Sequence, residues 1–207
     1  AESNPDVTAV VLTGAGGHFC SGADLQHLKQ QRHNLVAQGA QIEDFHQWIE
    51  ALRSFPKPVI AAVEGMAAGG GMALALACDL IVASETARFC AHPTLAAMPP
   101  EGGLSHTLVR TVGRARALEI MWHTGNVPTQ QLQQWGLVQR LTPTGQAQTQ
   151  ALRWAEELGQ LPPSVMASIK ELANDAALSA LRAQMNAEKQ HALINLAQGQ
   201  IPGLIPD

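Results

Sequence analysis

The stretch Met66–Ala83, which reads MAAGGGMALALACDLIVA, constrains the fold of this chain more than any other. Its length and apolarity approach those of a membrane-spanning helix. Three consecutive glycines interrupt it, however, Asp79 lies within it, and Glu64 stands just ahead. A glycine run weakens a helix, and a charge in lipid is costly, so the segment reads as a helix buried in protein followed by a strand. A helix that is apolar all round needs neighbours all round. The length of 207 residues allows one compact domain with a core large enough to supply them.

The flanking patterns supply those neighbours. Val7–Thr13 is rich in β-branched residues and ends in a glycine cluster, as a buried strand leaving into a loop does. A domain that opens on a central strand is expected to have a further unit ahead of it, so a trimmed or unobserved amino-terminal segment is expected. A glutamine-rich stretch over 25–41 leads to Phe45, Trp48, Ile49 and Leu52, whose i, i+3, i+4, i+7 spacing marks one helix face. Pro56 and Pro58 stop that helix, and Val59–Val63 follows as a second strand. Leu80–Ala83 and Ala87–Ala91 predict two more short strands.

Beyond Gly102 the patterns become helical. Ala115, Leu118, Met121 and Trp122 predict one face, and Thr129 an N-cap for a short helix ending at Gly136. Leu137–Leu141 is a strand candidate. Ala147, Ala151, Trp154 and Leu158 mark an amphipathic helix, and Pro162–Pro163–Ser164 opens the next. Leu178, Leu181, Met185, Ala192 and Leu196 fit a long closing helix. The chain thus reads as a single domain over 1–207, strand-rich over 1–103 and mainly helical over 104–207.

Composition narrows the function classes. With 46% hydrophobic and 14% charged residues the chain is globular rather than disordered. A formal charge of −4 offers no electrostatic case for nucleic acid or an anionic membrane as partner. The odd set Cys20, Cys78 and Cys90 suggests reduced thiols. With no secretory or transit signal visible, the expected location is cytoplasmic. The G-x-S-x-G elbow and the G-x-x-x-x-G-K-[ST] phosphate loop are missing, and Phe19 breaks the G-x-G-x-x-G spacing after Gly14. No H-E-x-x-H or paired Cys/His spacing suggests a metal site, and nothing calls for a redox cofactor.

Two glycine-rich turns follow strands, and in isolation glycines most often serve tight packing and positive φ angles. Their surroundings are more specific. VVLTGAGGHFCSGADL and KPVIAAVEGMAAGGGMALALACDLIVAS, with VGRARALEIMWHTG, GLVQRL and SVMASIK behind them, resemble the crotonase (enoyl-CoA hydratase/isomerase) superfamily from Val7 to about Lys170. The resemblance implies an α/β crotonase (ClpP-like) fold, a ββα superhelix with a C-terminal helical trimerisation region, here lacking its first unit. It also implies an acyl-CoA thioester as partner, with coenzyme A part of the substrate and no separate cofactor, and a homotrimer or hexamer.

The chemistry implied is enolate formation. Removing a proton α to a thioester carbonyl puts charge on the carbonyl oxygen, and fixed backbone N–H groups stabilise it by about 3 kcal/mol each. By motif position the donors are Ala23 and Gly70, the latter near the start of a buried helix whose dipole favours an anion. Gly22, Asp24 and Gly69 flank them; Met98, Leu104 and Lys170 complete the expected substrate contacts, Lys170 and Lys57 as candidates for the CoA phosphates. Asp24 also reads as a brace for its loop, and Asp79 as a helix-end or strand-start residue.

The carboxylates separate the reactions. Both glutamates that hydratases of this family use to activate water are absent: Ala73 stands at the first position, and AHPTLA at the second contains no acid. Glu101, in MPPEGGLSHTL, matches the single acidic residue of the Δ3,Δ2-enoyl-CoA isomerase branch. An acid at that place also favours the N-terminus of the following helix, which is its structural alternative. His92 and His106 are weaker pocket candidates. Three readings follow: an isomerase using Glu101; another acyl-CoA enzyme of this fold, such as a thioesterase, decarboxylase or degenerate hydratase; or a non-catalytic CoA-binding subunit.

Overall fold

The computed structural model describes residues 1–24, 26, 35–91, 100–123 and 125–176. The strands are β1 (Val10–Thr13), β2 (Val59–Val63), β3 (Met66–Ala68), β4 (Leu80–Ser84), β5 (Arg88–Cys90), β6 (Val127–Pro128) and β7 (Arg140–Thr142). The helices are α1 (Leu35–Ser54), α2 (Gly70–Ala77), α3 (Leu104–Val112), α4 (Arg114–Trp122), α5 (Thr129–Gln134), α6 (Ala147–Leu158) and α7 (Pro163–Ala176). His92, Met98 and the closing helix expected through Leu178, Leu181, Met185, Ala192 and Leu196 lie outside the described residues.

The strands form two sheets. One is parallel in the order β1-β2-β4-β7; the other runs β3-β5-β6, with β3 and β5 parallel and β6 antiparallel to β5. Successive segments alternate between them. After β1 the chain reaches the second sheet through the Cys20–Ala67 bridge and later enters α1; β2 and β3 lead to α2; β4 and β5 precede α3. This repetition of strand, strand and helix is the expected ββα spiral.

β2 reads VIAAV without alternation because both its faces are buried. Ile60 and Ala62, with Val82 of β4, pack on Ala147, Ala151 and Ala155 of α6. Val59, Ala61 and Val63 face the larger core, which contains Met72 and Leu74–Ala77 of α2. Small residues on α6 let its backbone come close to the sheet, while α2 is buried from Gly71 to Ala77.

Several local expectations need correction. Met66–Ala68 is a strand, not part of the buried helix expected within Met66–Ala83, because β5 gives it a partner. The strand expected over Leu137–Leu141 starts only at Arg140; Leu137 and Val138 are buried in the core ahead of it. On α4 the buried residues are Ala117 and Ile120, whereas Ala115 and Trp122 are exposed. Thr129 is the first helical residue of α5 and caps nothing; its hydroxyl donates to the Ala87 carbonyl at 2.6 Å. Gly136 does follow α5 as expected, with φ 78°.

Candidate active site

Backbone hydrogen bonds build the site before any side chain enters it. Phe19 and Cys20 N–H groups donate to the Met66 carbonyl at 3.1 and 2.9 Å, and the Ala68 N–H donates back to Cys20 at 2.9 Å. The Gly69 N–H donates to Cys90 on β5 at 2.8 Å. The turn after Cys20 is thereby laid against the end of β3 and the start of α2. Glycine is required at that junction. A Cβ on Gly71 would overlap the Cys20 carbonyl oxygen, and one on Gly22 (φ 93°) would lie 2.7 Å from the Ala68 oxygen and 3.6 Å from the Gly70 nitrogen.

Ala23 and Gly70 consequently line one pocket, and among the described residues neither of their N–H groups donates to a backbone carbonyl. Gly70 is the first residue of α2, so its N–H belongs to the unsatisfied positive end of a buried helix.

Glu101 enters from the opposite side. Two residues in left-handed conformation, Gly102 (φ 61°) and Gly103 (φ 72°), turn the chain between Glu101 and α3. The Leu104 N–H closes the turn on the Glu101 carbonyl at 3.2 Å. Leu104 then goes into the core, 1% exposed, while the Glu101 side chain faces Gly70. A Cβ built on Gly70 would be 3.4 Å from Glu101 Oε1.

α1 closes the space with Gln41, Ile42, Phe45 and Trp48, and α2 contributes Leu74. The cavity has a volume of about 340 Å³, and Glu101 is the one charged group among its described lining residues. The Phe45 ring lies against both glycines beside Glu101. It is 3.4 Å from a Cβ built on Gly70 and 2.6 Å from one built on Gly102. Ala73, the position expected of the first water-activating glutamate, is 2% exposed and packs toward Gly102.

Residues 1–198 match the enoyl-CoA hydratase/isomerase family. The chain belongs to that family. It is 35% identical over 175 residues to the mitochondrial enoyl-CoA hydratase of Pongo abelii, covering 84% of this chain and 59% of that protein. It is 30% identical over 192 residues to the 1,2-epoxyphenylacetyl-CoA isomerase of Escherichia coli, covering 92% of this chain and 73% of that one. The crystal structure of an enoyl-CoA hydratase from Polaromonas sp. JS666 superposes with a TM-score of 0.92 at 42% identity, covering 96% of this chain and 77% of that one. The chain therefore spans less than two thirds of the mitochondrial hydratase's length, and the fold is that of the crotonase family.

Within this family fold the expected site residues separate into two groups. Gly22, Ala23, Gly70 and Glu101 come together in the pocket. Gly69 precedes α2 and holds it to β5, and Asp24 braces its turn by accepting from the Gln26 N–H at 2.9 Å. Leu104 belongs to the core and not to the described pocket wall.

The basic candidates stand elsewhere. Lys170 Nζ donates to Asp79 Oδ2 (2.8 Å) and to the carbonyls of Leu52 (3.1 Å) and Lys57 (3.4 Å), fastening α7 to the ends of α1 and α2. Lys57 Nζ donates to the Ala1 and Asn4 carbonyls, both at 2.7 Å. Asp79, as expected, serves a strand start: its Oδ2 accepts from the Val59 N–H at 2.7 Å. His106 is exposed on α3, with Nε2 accepting from Arg110 Nε at 2.9 Å. Slight desolvation, then the nearby Arg110 and Arg53 guanidiniums, hold its pKa below the ordinary value.

The α1 wall was missed as part of the site. Phe45 and Trp48 were visible as a helix face, but the same spacing describes an ordinary core-facing helix. Trp48, 51% exposed at the pocket, is the sign that this face is not wholly core.

Proposed function

We propose that this chain forms the enolate of an acyl-CoA thioester and shifts a 3-enoyl double bond to the conjugated 2-enoyl position, with Glu101 as base. The observation that carries the reading is the single charged group of the described pocket, Glu101, facing the Gly70 start of α2. The Glu101 carboxylate takes a proton from C2. The electron pair spreads over C2, C4 and the thioester oxygen, where the Ala23 and Gly70 N–H groups stabilise it. Glu101 then delivers the proton to C4, so the carboxylate is regenerated and the reaction balances with no further reactant. Coenzyme A enters as part of the substrate, and no separate cofactor is invoked.

The test is absorbance of the conjugated thioester formed from a 3-enoyl-CoA. Native protein should convert it and Glu101→Gln should not; no conversion by the native protein would sink the isomerase reading. A second reading within the family is supported by the names of relatives, most of which are hydratases. Loss of 2-enoyl-CoA conjugation on adding water would favour it, while release of free CoA thiol would favour a thioesterase. The absence of acids at Ala73 and in AHPTLA supports isomerisation over hydration. We further propose a cytoplasmic homotrimer or hexamer without nucleic-acid or membrane partners.

A further inference from the structure

α1 presents a continuous patch to the pocket. Taken at 100° per residue, Gln41, Ile42, Phe45 and Trp48 fall within one face centred on Phe45 and extend about 10 Å along the helix. Three of the four are apolar, and Leu74 of α2 adds a fourth apolar wall. Phe45 stands nearest the reacting end, against Gly70 and Gly102. Trp48 lies one turn farther on and leaves half its surface exposed. A large exposed ring at the edge of an apolar pocket is a surface that a ligand can cover.

We propose that this face selects a neutral, apolar acyl tail, with Phe45 and Trp48 as its specificity-determining residues; the proposal rests on the acyl-CoA reading above. A tail ending in a carboxylate would give up hydration against Ile42, Phe45 and Trp48 with no cation among the described lining residues. Among the described lining residues the one charge is Glu101, of the same sign. A plain hydrocarbon tail has neither penalty and removes apolar surface of both rings from water.

The inference is tested by calorimetric titration of the native protein with free CoA, hexanoyl-CoA and the six-carbon thioester that ends in a carboxylate. Hexanoyl-CoA should bind at least about tenfold more tightly than its carboxylate counterpart. Phe45→Ala and Trp48→Ala should each weaken hexanoyl-CoA binding by about tenfold or more while leaving free CoA within about twofold. Phe45→Leu, which keeps an apolar side chain, should retain the order of preference and guards against a folding defect in the alanine variant. Equal or tighter binding of the carboxylate-ended thioester would overturn the proposal, as would equal losses of hexanoyl-CoA and free CoA in both ring variants. If native protein binds none of the three compounds, the acyl-CoA reading falls and this inference with it.

Discussion

Gly71, in the first turn of α2, and Cys78, which caps its end, are both buried, yet one is constrained by space and the other by solvation. A methyl group at Gly71 would have to displace the Cys20 carbonyl, and with it the turn carrying Ala23. Gly71→Ala should therefore lower stability by roughly 1–3 kcal/mol, the range for overpacking, and impair turnover together with it. Urea unfolding and the conjugation assay would show this, and an unchanged midpoint would contradict the close approach. Burial, then the adjacent Asp79 charge, pushes the Cys78 thiol up to about 12. Since the thiolate is the reactive form, Cys78 should resist alkylation at pH 8 in the folded protein and react only after unfolding. Peptide mapping after timed labelling checks this; a Cys78 adduct forming as fast as one on the half-buried Cys20 would oppose it. At this scale the meeting of Ala23, Gly70 and Glu101 in one pocket was legible because long motifs surround them. Lys170 was not, since a lysine in sequence carries no sign of which acceptors will surround it.

Between elements, two polar ties repay attention. The Thr129 hydroxyl links the start of α5 to the Ala87 carbonyl just ahead of β5, and both residues are buried. Thr129→Val keeps the shape but removes that buried hydroxyl bond, and should cost about 0.5–1.5 kcal/mol in urea unfolding. Asp79 ties β2 to α7 through the Val59 N–H and Lys170. Burial outweighs those bonds and the Lys170 and Arg53 charges, so the Asp79 pKa lies above its ordinary 3.8. The folded protein then holds this proton more tightly than the unfolded chain does. The penalty for ionised Asp79 is absent below pH 3.8 and complete above the raised pKa. Native stability should thus fall relative to Asp79→Asn as pH rises through that window. Paired unfolding curves would read the slope, and the opposite sign would mean that the Lys170 pair dominates. Strand β2 and the face of α6 were plain from sequence, because runs and periods of apolar residues report burial directly. β3 and the buried face of α4 were not: a three-residue strand exists only through its partner, and α4 has apolar residues on more than one side.

For the whole molecule, the proposed assembly predicts a light-scattering mass three or six times the 22.0 kDa of the chain, and a monomer at working concentration would reject it. The spiral itself follows from repeated passage between two sheets, which brings the turn after β1, the junction of β3 with α2, and the Gly102–Gly103 turn to one pocket. By itself the sequence determined the family, the strands β1 and β2, the buried helix α2, and that Ala23, Gly70 and Glu101 belong to one pocket, because local propensity and long motifs are encoded in neighbouring residues. Only the tertiary structure decided that Phe45 and Trp48 wall the pocket, that Leu104 is core, and that Lys170 is a tie between helices. Those roles depend on contacts between residues far apart in the chain, and a contact of that kind has no local signature for a sequence to carry.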